Sequence, residues 1–171
     1  MSVSVDVSSE VPRLALSTVK AAELARRVLA AEKAREVMLS IAFVPRAAMA
    51  RLNREHLGHR GATDVISFGF VDPTGSGAVV GDVYICPEVA AENARRHGAR
   101  VREELARLVV HGTLHVLGHD HPHGDDRVAS PMWRRQERLV SRLLPVVLGG
   151  VPKAGASKPT TGAATKQRGA R

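Results

Sequence analysis

The chain has 171 residues, 44% hydrophobic and 25% charged, which bounds it to one globular domain with enough apolar material to fold without disulfide staples. Lys plus Arg total 25 against 17 Asp plus Glu, a net charge of +8 that favours polyanionic partners, nucleic acid first. The lone cysteine, Cys86, excludes a disulfide framework and any zinc site built on several thiolates, and it fits a reducing, cytoplasmic setting.

The chain starts MSVSVDVSSE, with neither a basic start nor an apolar core, so no secretory signal is expected; no apolar run reaches the ~18 residues of a membrane span. Val3, Val5 and Val7 alternate with small or polar residues, which predicts a strand over Ser2–Val7. Ser17 is placed to cap a helix running to about Lys33, with Leu24, Val28 and Leu29 on one face. Val37–Val44 is apolar and partly β-branched, a second strand. Pro45 suits the first turn of a helix that carries Met49 and Leu52 and closes near Gly58. Asp64–Phe70 and Val79–Cys86 read as two strands joined by the turn DPTGSG, an antiparallel hairpin. A helix opens at Pro87 and closes at Gly98, a longer one spans Val101–Leu117 and ends at Gly118, and a last amphipathic one spans Pro131–Leu144. Strands mixed with helices and one hairpin predict an α+β domain: a small mixed sheet packed by helices. The domain is expected over residues 1–148. Residues 149–171 carry five cations, no acid and almost no large apolar side chain, and are expected to form a disordered basic tail.

Five of the eight histidines (His111, His115, His119, His121 and His123) fall within thirteen residues. His111 and His115 are four apart, so a helix puts both imidazoles on one face. Gly118 can turn the chain back and return His121 beside them. Three imidazoles around one point are the ligand set of a catalytic zinc with an open fourth position. Leu105–Gly118 contains one charged residue, Arg107, so the helix is expected to be central and largely buried. Buried imidazoles need partners for both nitrogens, and Asp120, Asp125 and Asp126 are candidates for the outer ones. The spacing HxxxHxxGxxH is that of zinc proteases that place a glutamate after the first histidine; here that position is Gly112, which removes the general base.

HGTLHVLGHDH resembles the HGxLHLxGYDH signature of the YbeY family, bacterial endoribonucleases of small-subunit ribosomal RNA maturation and ribosome quality control. LNREHLGHRGATDVISF (Leu52–Phe68), GDVYICPEVA (Gly81–Ala90) and MWRRQERLV resemble further family blocks in the same order, so the likeness runs from about Glu36 to Leu144. It implies one zinc ion on His111, His115 and His121, and a central helix carrying the first two. It implies ribosomal RNA and the small ribosomal subunit as partners, with ribosomal or GTPase assembly factors beside them. The sequence departs from the family pattern where an arginine becomes Leu57, an aspartate becomes Arg60 and a tyrosine becomes His119. Arg54 or Arg60 would then fill the arginine's space. Asp82 matches an acidic family position.

The chemistry expected is hydrolysis of RNA phosphodiesters in single-stranded segments, with catalytic roles assigned to Arg60, His119 and Asp82 and phosphate contacts to Arg54, Arg95, Arg96 and Arg100. Water and the substrate 2′-OH both stand as nucleophiles. The aromatics, 3% of the chain, are too few for a base-stacking platform. The competing readings are a zinc peptidase or amidase and a non-catalytic assembly factor with structural zinc.

Overall fold

A computed structural model describes residues 2–149; the basic tail expected over 149–171 lies, past its first residue, outside them. The alternating valines form β1 (Ser2–Ser9), and Ser17 caps α1 (Thr18–Ala31) by accepting a hydrogen bond from the Lys20 amide at 3.2 Å. β2 (Glu36–Phe43) and α2 (Arg46–Leu57) follow, the latter closed by Gly58 in the left-handed conformation. β3 (Val65–Val71) and β4 (Val79–Ile85) form the expected hairpin. α3 (Pro87–Arg96), α4 (Val101–Val116) and α5 (Pro131–Leu148) complete the chain.

The sheet order is β1-β2-β4-β3, with β1, β2 and β4 parallel and β3 antiparallel on the edge. One face carries Leu39, Ile41, Val83 and Ile85 against α1 and α4, with α5 packed on both helices. On the other face α2 covers one end through Met49, Ile66 and Cys86. The opposite end of that face is open: Met38, Val80 and Phe70 lie side by side in register and are largely exposed.

α4 is the central helix, with ten of its sixteen residues buried. Glycines stand on both sides of its contact with the sheet, each opposite a valine. A Cβ on Gly112 would lie 2.5 Å from Val83 Cγ1, and one on Gly81 would lie 2.2 Å from Val116 Cγ1. Both neighbours are β-branched valines with stiff χ1, so neither can swing aside cheaply. The gap between helix and sheet is thereby set by missing side chains.

Two boundaries differ from expectation. A 3-10 turn occupies Asp125–Ala129, in a segment with no hydrophobic period to announce it. α5 continues four residues past Leu144, through Pro145 to Leu148. Proline there costs one intrahelical bond near the helix end, and Val147 and Leu148 still pack on the core.

Candidate metal centre

The end of α4 builds the site. His111 and His115 project from one face, and Gly118, at φ 93°, reverses the chain after the Gly118 and His119 amides have closed onto the His115 and Leu114 carbonyls. His121 comes back to join them. The three imidazoles offer nitrogens all within 4.8 Å of one another, and ring centroids stand 4.6 to 5.2 Å apart.

Hydrogen bonds decide which nitrogens carry lone pairs. His111 Nδ1 faces Gln136 Oε1 at 2.7 Å; the amide oxygen only accepts, so Nδ1 holds the proton and Nε2 is bare. His121 Nδ1 faces the Pro122 carbonyl at 3.0 Å, with the same consequence. His121 Nε2 in turn stands 3.2 Å from His115 Nε2. In tetrahedral zinc sites, with Zn–N near 2.0–2.1 Å, ligand nitrogens are separated by roughly 3.3 Å. Convergent lone pairs repel without a cation between them, so the donor set fits a divalent metal. Among the described residues no fourth His, Cys, Asp or Glu joins the group. Burial holds the His111 imidazole at about 4, far below its ordinary value, and burial together with the neighbouring His121 also lowers His115. Neutral rings are the form a metal binds.

Gln136 carries no motif signal of its own in the sequence. Its cue lies in α5, where Met132, Gln136, Leu139, Val140 and Leu143 form the buried stripe and glutamine is its one polar member. Asp120 acts on the ligand loop through its backbone, accepting from the His121 amide at 2.8 Å. Asp125 and Asp126 sit in the exposed 3-10 turn.

The other expected site residues scatter. His119 turns from the metal group toward Glu32: Nε2 stands 3.0 Å from Oε2, while Arg135 Nε donates to the same carboxylate at 2.8 Å. Burial alone would raise Glu32, but the hydrogen bonds and charges of Arg135 and His119 outweigh it and hold the carboxyl below its usual range. This buried carboxylate ties the α1 end, the ligand loop and α5 together. Asp82 alternates with Gly81 and Val83, which face α4, so it points to the opposite side of the sheet from the histidines. Arg54 is exposed on α2, and Arg60 is exposed in the following loop, which Asn53 Nδ2 anchors through the Gly61 carbonyl at 2.8 Å. Arg95, Arg96 and Arg100 are exposed around the α3–α4 turn.

A cavity of about 550 Å³ opens beside His111, with Asp64, Glu104, Arg127 and Trp133 among its walls. A larger groove of about 720 Å³ runs along α5 by Glu32 and Arg138 and contains none of the three histidines. No helix among the described residues is long and apolar enough to cross a membrane.

A family model described as "Endoribonuclease YbeY" matches residues 6–144. The "Endoribonuclease YbeY" of Kineococcus radiotolerans is 36% identical, over 92% of each chain. That of Beutenbergia cavernae is 41% identical, over 82% of this chain and 97% of its own. A Thermotoga maritima protein whose structure was solved in solution is 25% identical, with a TM-score of 0.55 over 85% of this chain and 90% of its own.

Proposed function

Because the chain belongs to the YbeY endoribonuclease family, we propose that it is a cytoplasmic, metal-dependent endoribonuclease of small-subunit ribosomal RNA maturation and ribosome quality control. We assign one zinc ion to His111, His115 and His121, and ribosomal RNA within the small subunit, with its ribosomal or GTPase assembly factors, as partners. The observation that carries this reading is the set of imidazole lone pairs aimed at one point, two of them fixed by hydrogen bonds from the far side of the ring.

Zinc held there supplies Lewis acidity toward a phosphoryl oxygen or water. The remaining tasks belong to this chain. Gln136 keeps the His111 proton on Nδ1 and so keeps Nε2 available. The Glu32–His119–Arg135 tether holds the loop that carries His121. Arg127, exposed in the lining of the cavity beside His111, places a positive charge next to the site. Arg54, Arg60, Arg95, Arg96 and Arg100 serve as a wider phosphate-binding surface.

A peptidase of the HExxH type needs a carboxylate at position 112, and the Gly112 Cα presents its side-chain direction to Val83 and Ser67 of the sheet. A glutamate there would drive into the core instead of reaching a substrate.

The test is His115→Ala in the full chain, assayed for bound zinc, folding and cleavage of ribosomal RNA precursor. Loss of zinc and cleavage in a folded protein supports the reading. A folded, zinc-free variant that cleaves at the wild-type rate overturns it. A wild-type chain that binds precursor but never cleaves it overturns it too, and is then an assembly factor with structural zinc.

A further inference from the structure

The cavity beside His111 contains more chemistry than phosphate binding uses. Glu104, Leu108 and His111 follow the i, i+4, i+7 spacing of one helix face, and all three line it. Seven residues of helix place Glu104 about 10 Å along the axis from His111, a span of the order of one nucleotide from phosphate to base edge. Glu104 is half-buried and its carboxylate accepts no hydrogen bond from any described residue. Burial raises this carboxyl above its ordinary value against the pull of Arg107, as befits acceptors that lack full solvation. Asp64, by contrast, is already engaged: it accepts from the Val65 amide at 2.8 Å, and from Asn93 Nδ2 at 3.2 Å. Another part of the lining is flat. Trp133, the only tryptophan of the chain, lies under the Arg127 guanidinium, whose carbon is 5.3 Å from the ring centre. Indole and guanidinium planes are the surfaces on which unpaired bases stack.

We propose that this cavity holds one unpaired nucleobase bearing an exocyclic amino group, which donates to Glu104 while the base lies against the Trp133–Arg127 wall and its phosphate reaches the histidine end. The proposal rests on the endoribonuclease reading and adds a specificity to it. Adenine and cytosine offer an amino donor where uracil presents a carbonyl oxygen, and a carboxylate repels that oxygen. The few aromatics of the chain are no obstacle: a single-base pocket needs one flat wall, not a platform.

The test uses the zinc-loaded full chain and follows the single indole Nε1–H resonance during titration with AMP, CMP, UMP and ribose 5-phosphate. AMP and CMP are expected to shift it saturably, UMP roughly tenfold more weakly, the loss of one charge-assisted hydrogen bond, and ribose 5-phosphate not at all. Glu104→Gln, whose amide can both donate and accept, is expected to bring the AMP-to-UMP ratio toward one with the thermal midpoint retained. Equal affinities for AMP and UMP, an unchanged ratio in the variant, or an equal shift from ribose 5-phosphate overturns the proposal. RNA cleavage assayed in parallel separates the two readings. Cleavage without base discrimination sinks the pocket alone, whereas the expected discrimination without any cleavage sinks the nuclease reading and leaves a nucleotide site.

Discussion

Replacing Gln136 by leucine keeps the buried volume nearly constant and removes the acceptor that His111 Nδ1–H uses. The ring is then free to change tautomer or rotate, and partners of this kind are worth about 10–100-fold in metal affinity. Competition with a chromogenic chelator is expected to show a loss in that range for Gln136→Leu and a much smaller one for Gln136→Glu, which retains an accepting oxygen. His111 also sets an acid limit on the metal-free protein. Its folded value is about 4, below the ordinary 6.5 of an unfolded histidine, so the unfolded chain binds the proton first. The stability contributed by the neutral buried ring is complete above about pH 6.5. It drains as pH falls toward 4, by about 3 kcal/mol in all. Urea melts of the metal-free chain between those limits are expected to show the loss, and a curve flat from pH 7 to 4 would contradict it. At this scale the histidine cluster and Gly118 were legible in the sequence, because spacing on a helix maps directly onto a face. The partners of the rings were not: Gln136 lies twenty-five positions from His111, and nothing in a local pattern pairs them. The partner of His119 was hidden for the same reason, since Glu32 is 87 residues away.

The seating of α4 on the sheet is a property of elements. Gly81→Ala puts a methyl into the Val116 side chain, and Gly112→Ala puts one into Val83. Each is overpacking of a tight interface, expected to cost about 1–3 kcal/mol and to lower the thermal midpoint by several degrees, readable by circular dichroism. Because α4 carries two ligands, both variants are also expected to bind zinc more weakly than their stability alone dictates. If Gly81→Ala melts and binds zinc as wild type, the helix has room that this packing denies. At the start of α5, Ser130 Oγ accepts from the Trp133 amide at 3.2 Å. Ser130→Ala is expected to cost about 1 kcal/mol and to loosen the turn that presents both Trp133 and Gln136. Helix starts and stops were legible because Ser17, Pro45, Pro87 and the closing glycines act within a few residues. The exposed row of Met38, Val80 and Phe70 was hidden. Strands of this kind carry apolar residues on both faces, and a run such as Val37–Val44 gives no sign of which face stays open.

The charge of the whole molecule divides unevenly. Five of its cations lie in residues 151–171, so the rest of the chain carries +3 of the net +8. Deleting Val151–Arg171 is expected to weaken RNA binding at low salt and to flatten its salt dependence, the slope falling by about 0.7 for every phosphate that the tail had neutralised. Cleavage at saturating RNA is expected to survive, because the histidine centre is untouched. An unchanged affinity at low salt would show that those cations hold no phosphate. The α+β class and the hairpin were legible at this scale because local patterns announce strands and helices. The order β1-β2-β4-β3 was not, since pairing of β2 with β4 joins segments separated by a helix and a strand.

The glycines beneath α4 also carry an implication for how this protein tolerates change. Gly69 and Gly81 touch neither the ligand nitrogens nor the polyanion, yet a methyl on Gly69 would fall 2.7 Å from the Val116 carbonyl oxygen. A saturation screen that scores folded, zinc-loaded protein is therefore expected to show both as poorly tolerant of larger side chains, alongside His111 and His115. A map of such intolerance, interpreted as a map of chemistry, would mistake spacers for reagents.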